Sequence, residues 1–142
     1  MNAVRVLVID DQPQVRTAVC DVLRDLGVSD ITEAGSGRSA LSLVNAPGVR
    51  FDLILCDLHM PERDGIEVIR SFAALGVDAA MVIMSVEQDR VIEIAGTLAS
   101  QQGLRLLGTI RKPVTPENLA PILYRVAHAT PATRRERKAI FG

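Results

Sequence analysis

Asp10 and Asp11 stand side by side where the apolar run VRVLVI, Val4–Ile9, ends. A third carboxylate, Asp57, follows the run FDLILC, Phe51–Cys56. Ser85 follows Ala80–Met84, and Lys112–Pro113 closes the run that starts at Leu104. Carboxylates crowded together repel one another unless a cation joins them. Oxygen-only ligation suits Mg²⁺, which takes one or two carboxylates, retained waters and a phosphate oxygen. A carboxylate beside such an ion can also attack a phosphoryl group and form an aspartyl phosphate. That transfer depends on positioning and charge neutralisation, which the ion and the Lys112 ammonium would share. The Ser85 hydroxyl could then donate to a phosphoryl oxygen. On this reading Asp10 and Asp11 tolerate each other because a divalent cation sits between them and Asp57.

Each residue taken alone also fits a plainer role. A strand-end aspartate commonly serves a turn. Lys112 before a proline also reads as a solvated side chain, Ser85 as the cap of a following helix, and His59 as a surface residue at a pocket mouth. The joint reading gains weight because every strong strand end carries a residue type that the same mechanism requires.

Those residues can meet only if the intervening elements bring them together. Strand-length apolar runs recur at Val4–Ile9, Phe51–Cys56, Ala80–Met84 and Leu104–Ile110, with a weaker one at Ile31–Ala34. The four strong ones lack a clean in/out alternation, the pattern of strands buried on both faces. Helical stripes lie between them. Val15, Val19, Val22, Leu23 and Leu26 stop at Gly27, and Ala40, Leu41, Leu43 and Val44 stop before Pro47–Gly48. Ile66, Val68, Ile69, Phe72 and Leu75 stop at Gly76, and Val91, Ile92, Ile94, Ala95 and Leu98 stop before Gly103. Leu119, Ile122, Leu123 and Val126 follow Thr115–Pro116–Glu117, which reads as an N-cap, a first-turn proline and an early acid. Five alternations of strand and helix predict an α/β fold, a parallel sheet with helices on both faces. Open sheets of this kind bind ligands beyond the carboxyl ends of their strands, which is where the polar residues fall.

Composition narrows the function. The chain has 142 residues, with 48% apolar, 23% charged and a net charge of −1. That suits one globular domain and offers no basic field for nucleic acid. Three Phe, one Tyr and no Trp leave no stacking platform for bases and demand an aliphatic core. Cys20 and Cys56 form no CxxC pair, so a zinc site is not expected and two reduced, packed thiols are. The N-terminus lacks an apolar signal region, and no apolar run approaches the roughly 20 residues of a membrane span. The expectation is a soluble cytoplasmic protein. The segment 130–142 changes character: Arg134, Arg135, Arg137 and Lys138 face one acid, Glu136, as a basic tail or linker behind a domain over 1–129.

Four stretches together resemble the receiver domains of two-component response regulators. They are VLVIDDQP at Val6–Pro13, DLILCDLHMPERDGIEVIR at Asp52–Arg70, MVIMSV at Met81–Val86, and RKP at Arg111–Pro113. The resemblance covers about residues 4–128. It implies a flavodoxin-like, doubly wound, five-stranded parallel sheet of order 2-1-3-4-5 with five helices. It makes Asp57 the phosphoacceptor, and Asp11 and Asp57 side-chain ligands of Mg²⁺, with Asp10 acting through water. It gives the backbone carbonyl of His59 to the metal, makes Ser85 the switch hydroxyl and Lys112 the lysine that pairs with the phosphoryl group. Met60–Pro61 and Asp64–Gly65 resemble the loop that shapes the acceptor's turn. The implied donor is a sensor histidine kinase or histidine phosphotransfer protein. The implied readout, including a homodimer, uses the face of the fourth helix (Val91–Leu98), fifth strand and fifth helix (Leu119–Val126). Two positions depart from the family pattern. Thr109 stands where an aromatic ring is common, and Val86 follows the switch hydroxyl where a small residue is usual. GLRLLGTIRKPVTPENL, Gly103–Leu119, is also similar to receivers fused to EAL-type cyclic-di-GMP phosphodiesterase domains, which makes such an output domain beyond this chain an expectation.

Two other classes compete. A Mg²⁺-dependent phosphatase with an Asp nucleophile would place an Asp-x-Asp pair after its first strand, whereas this pair is adjacent and Asp57 lies on another strand. An interaction module that keeps the fold without using phosphate would have no need of the full acid, hydroxyl and lysine set. No glycine-rich loop for a nucleotide follows the first strand.

Overall fold

The computed structural model describes residues 4–58, 65–86, 96–97 and 103–128. Five strands form one sheet: β1 (Arg5–Ile9), β2 (Asp30–Ala34), β3 (Leu53–Asp57), β4 (Ala80–Ser85) and β5 (Arg105–Arg111). All neighbours are parallel and the order is β2-β1-β3-β4-β5. The described helices are α1 (Pro13–Asp25), α2 (Gly37–Val44), α3 (Gly65–Leu75) and α4 (Pro116–Ala127). Four helices among the described residues stand against the five expected. The expected helix over Val91–Leu98 falls outside the described residues except Gly96 and Thr97, which are helical.

The strand pleat divides the core in two. Val6, Val8, Leu53, Leu55, Val82 and Met84 pack with Val19 and Leu23 of α1 and Leu119 and Leu123 of α4. The alternate residues Leu7, Ile9, Ile54, Cys56, Met81 and Ile83 pack with Ala40 of α2 and Val68, Ile69 and Phe72 of α3. Both faces of β1, β3 and β4 are therefore covered, which is why these strands read as continuous apolar runs.

β5 corrects the expectation of burial on both faces. Leu106 and Leu107 are half-buried and Thr109 is exposed, while Ile110 is buried. β5 is an edge strand, with β4 as its one neighbour in the sheet. Its ladder to β4 also slips at Met81/Val82, so that Met81 pairs with Leu106 and Val82 with Gly108. The skipped Leu107 shares the core of α1 and α4, and its carbonyl accepts a hydrogen bond from Arg125 of α4 at 3.0 Å.

Helix starts follow the local signals. The Ser36 hydroxyl accepts from the Ser39 amide and the Ser39 hydroxyl accepts from the Ser36 amide, a reciprocal cap for α2. Thr115 and Asn118 form the same arrangement for α4, with Pro116 in the first turn. α1 has no side-chain cap at Gln12, and Pro13 opens it. It leaves the Asp10–Asp11 turn directly, so the acid pair is fixed between the end of β1 and the start of a helix. The tail 130–142 lies outside the described residues.

Candidate functional site

The carboxyl ends of β1, β3, β4 and β5 converge on one edge, and the hydrogen-bond ladders continue one step past the strands. The Asp10 amide donates to the Ala34 carbonyl at 3.1 Å, the Leu58 amide to the Met84 carbonyl at 3.0 Å, and the Lys112 amide to the Ser85 carbonyl at 2.9 Å. The strand-end residues singled out from sequence are thus held by backbone they share with the sheet. β3 aligns Asp57 with Met84, so Ser85 lies one step further along the same edge.

Three acids meet there. Asp10, Asp11 and Asp57 each offer a carboxylate oxygen, all within 4.8 Å of one another. Asp10 is fully buried and Asp57 is 5% exposed, while Asp11 is half-buried. Lys112 enters from β5 and places Nζ 2.7 Å from Asp10 Oδ2 and 3.0 Å from Asp57 Oδ1. Asp10 Oδ1 accepts from the Gln12 amide at 3.0 Å. Burial of Lys112 opposes its charge, but its hydrogen bonds to Asp10 and Asp57 and their two negative charges outweigh that, and its pKa is raised. The lysine is held as a cation between two carboxylates.

Both cysteines are free and buried. Burial, then the Asp57 and Asp10 charges, push Cys56 up to about 12. Burial, then the Glu33 charge, push Cys20 up to about 11. Neither is a thiolate at neutral pH, in line with the expectation of packed, reduced residues.

A cleft of about 880 Å³ opens over the acids, lined by Gln14, Val15, Ala18 and Val19 of α1, by Val86, and by Pro113 and Val114 beyond β5, with Asp57 and Lys112 at its floor. Val86 is 66% exposed at this mouth. Of the residues singled out from sequence, the structure brings together Asp10, Asp11, Asp57 and Lys112, and sets buried Ser85 at the same edge. His59, Met60–Pro61 and Asp64 lie outside the described residues, while Gly65 opens α3. Sequence reasoning missed Arg16. Its Nη1 donates to the Asp10 carbonyl at 2.7 Å and its Nε to Glu33 at 3.0 Å. The available signal was its place in the first turns of the helix that follows the acid pair.

The acids fit a divalent ion. Their oxygens are close enough to share one, all donors are oxygen, and one cationic side chain already offsets part of the charge.

Comparison with known proteins agrees with this geometry. The response regulator receiver domain family matches residues 6–124. The cyclic di-GMP phosphodiesterase RocR of Pseudomonas aeruginosa is 32% identical over 126 residues, covering 88% of this chain and 32% of RocR. The chain thus spans about a third of the length of that relative. The chemotaxis protein CheY of the same organism is 30% identical over 119 residues, covering 81% of this chain and 89% of CheY. Among solved structures, a response regulator from Colwellia psychrerythraea superposes with a TM-score of 0.76 at 28% identity, covering 89% of this chain and 98% of that one. The chemotaxis protein CheY4 of Vibrio cholerae superposes with a TM-score of 0.71 at 29% identity, covering 87% and 98%. From the sheet order, the strand-end acids and these matches together, the chain belongs to the response regulator receiver domain family, the phosphorylation-dependent signalling domains of two-component systems.

Proposed function

We propose that Asp57 is the phosphoacceptor of this receiver domain and takes its phosphoryl group from the phosphohistidine of a sensor kinase or a phosphotransfer protein. The observation that carries this reading is the Lys112 ammonium, held 2.7 Å from Asp10 and 3.0 Å from Asp57. That ammonium sits where negative charge would gather during transfer.

Asp11 and Asp57 would hold Mg²⁺ directly, Asp10 through water, and His59 by its backbone carbonyl. The ion, when bound, supplies charge neutralisation for the phosphoryl oxygens. The chain's own groups do the rest. An Asp57 carboxylate oxygen attacks phosphorus as the P–N bond to the donor imidazole breaks, and the ring nitrogen keeps the bonding pair and takes up a proton. Lys112 turns part of its hydrogen bonding from Asp57 to the new phosphoryl oxygens. Ser85 donates its hydroxyl to another of them. The cleft between α1 and Pro113–Val114 leads from solvent to Asp57 and gives the donor its approach.

Phosphorylation replaces a monoanion by a dianion at a rigid edge, which biases the loops after β4 and β5. Thr109 is exposed on β5, so a signal toward that face travels without the ring common at this position. The face formed by the expected helix over Val91–Leu98, by β5 and by α4 is the readout surface, where a homodimer or an output domain docks. Exposed Thr109 of β5 and exposed Tyr124 of α4 support that reading. The likeness to RocR supports an output domain following residue 142, a cyclic-di-GMP phosphodiesterase being the class that the relative's name carries. The segment 130–142 would then be a basic linker, and the cytoplasm the place of action.

The test is incubation with Mg²⁺ and acetyl phosphate, followed by mass spectrometry of the intact chain. One phosphoryl group is expected, lost under mild alkali and missing from Asp57→Asn. Undiminished labelling of Asp57→Asn would remove Asp57 from this role. Sedimentation with and without beryllofluoride tests the dimer.

A further inference from the structure

Asp11, the most exposed of the three acids, hangs on a peptide whose carbonyl, that of Asp10, is bound by a side chain from α1. Arg16 Nη1 donates to the Asp10 carbonyl at 2.7 Å. The Arg16 amide donates to the Gln12 carbonyl at 2.9 Å, the first backbone bond of α1, which fixes where the side chain starts. The guanidinium is held from the far side by Glu33 of β2, with Nε 3.0 Å from Oε1, and it is only 20% exposed. Gly35, just past β2, leaves room for it: a Cβ there would stand 3.3 Å from Arg16 Nη1. The end of β1, the end of β2 and the first turns of α1 are thereby tied together at one side chain.

We propose that Arg16 is a positioning residue for the ion-binding acids: by fixing the Asp10–Asp11 peptide plane, it sets the divalent-cation affinity of the site. The inference rests on the reading of Asp10, Asp11 and Asp57 as the Mg²⁺ ligands. The Asp10 carbonyl belongs to the peptide on which the Asp11 Cα hangs, so a bond to it fixes where the Asp11 carboxylate can reach. A guanidinium suits the task because its fork donates in two directions from one plane, which an ammonium cannot do with the same rigidity. Groups that orient ligands without touching the metal change its affinity by about 10- to 100-fold when removed.

A role in charge balance and a role in positioning predict opposite signs. Arg16 is a cation near a cation site. If it acted through charge alone, its removal would tighten ion binding. If it positions Asp11, its removal weakens binding although a repelling charge has gone.

The experiment is titration of the unphosphorylated chain with Mg²⁺ by calorimetry and with Mn²⁺ by electron paramagnetic resonance, with folding monitored by circular dichroism. Arg16→Met is expected to weaken binding about tenfold. Arg16→Lys, which keeps the charge and loses the fork, is expected to weaken it as well. Glu33→Gln keeps an acceptor for Nε and should stay within about twofold of wild type, since the lost charge is exposed and screened. If Arg16→Met does not fold, Gly35→Ala crowds the guanidinium while leaving every charge in place, and a smaller loss of affinity is expected. Affinity equal to or above wild type in the folded Arg16 variants, or in Gly35→Ala where it stands in for them, overturns the proposal. A wild-type chain without saturable Mg²⁺ or Mn²⁺ binding removes the reading of the acids as ligands, and this inference with it.

Discussion

Replacing Lys112 by methionine isolates what holds the acid cluster together. The ammonium stands 2.7 Å from Asp10 and 3.0 Å from Asp57, in a setting where the three side chains are 13%, 0% and 7% exposed. At an effective dielectric constant of about 20, each contact carries roughly 6 kcal/mol of gross attraction, and two carboxylates about 5 Å apart repel by about 3 kcal/mol. Desolvation of the three groups offsets much of this. Breaking such a buried pair from one side leaves charge uncompensated, at a cost of about 3–5 kcal/mol. For a domain of this size that lowers the melting temperature by about 10–17 °C. The assay is urea and thermal unfolding of wild type and Lys112→Met at pH 7.5 in EDTA, repeated with Mg²⁺. The variant should recover more stability from Mg²⁺ than wild type does, because the ion then replaces the lost cation instead of competing with it. Saturation at about 100 times the dissociation constant is worth about 2.7 kcal/mol. A loss below about 1 kcal/mol in EDTA, or equal Mg²⁺ stabilisation of the two proteins, would refute the picture of a lysine bridging two buried carboxylates.

Asp11→Asn is expected to weaken Mg²⁺ binding by about tenfold or more while leaving the unfolding midpoint in EDTA unchanged or raised, as calorimetry and urea titration would show. Phe72 is fully buried against the α2–α3 side of the sheet, and Phe72→Ala should cost about 3–5 kcal/mol in urea unfolding. Thr115→Ala removes the hydroxyl that caps α4 and should cost about 1 kcal/mol without moving the Mg²⁺ affinity. Unfolded thiols ionise near pH 9, whereas the folded ones do so only near 11 for Cys20 and 12 for Cys56. Their contribution to stability is therefore complete below pH 9 and is lost as pH rises from 9 to 12. A Cys20→Ala/Cys56→Ala variant should show a shallower alkaline decline in urea midpoint, and a decline as steep as that of wild type would contradict the assignment.

The readings that held are those in which local chemistry and long-range need coincide. Continuous apolar runs bounded by an acid, a hydroxyl or a lysine can be satisfied by a parallel sheet with both faces covered, and β1, β3 and β4 are buried as those runs imply. Thr115–Pro116 announces the start of α4 because the cap is a contact within three residues of chain. The Asp10–Asp11 pair is legible because like charges at a strand end require an explanation wherever they occur.

Other features depend on partners distant in sequence. Leu104–Ile110 reads like a central strand, yet only the sheet order makes β5 an edge and leaves Thr109 in solvent. No local pattern marks Leu107 as the residue its ladder skips. Arg16 looks like any polar residue in a first turn, and its role emerges only where β2 returns beside β1 and brings Glu33 and Gly35 to it. By itself, the sequence determined which groups are available and at which strand ends they fall, because periodicity and turn chemistry are properties of neighbouring residues. The tertiary structure alone decided that Lys112 reaches Asp10 across 102 positions of chain at 2.7 Å. Such a distance is set by the register and twist of β1, β3, β4 and β5, which come together only when the sheet assembles.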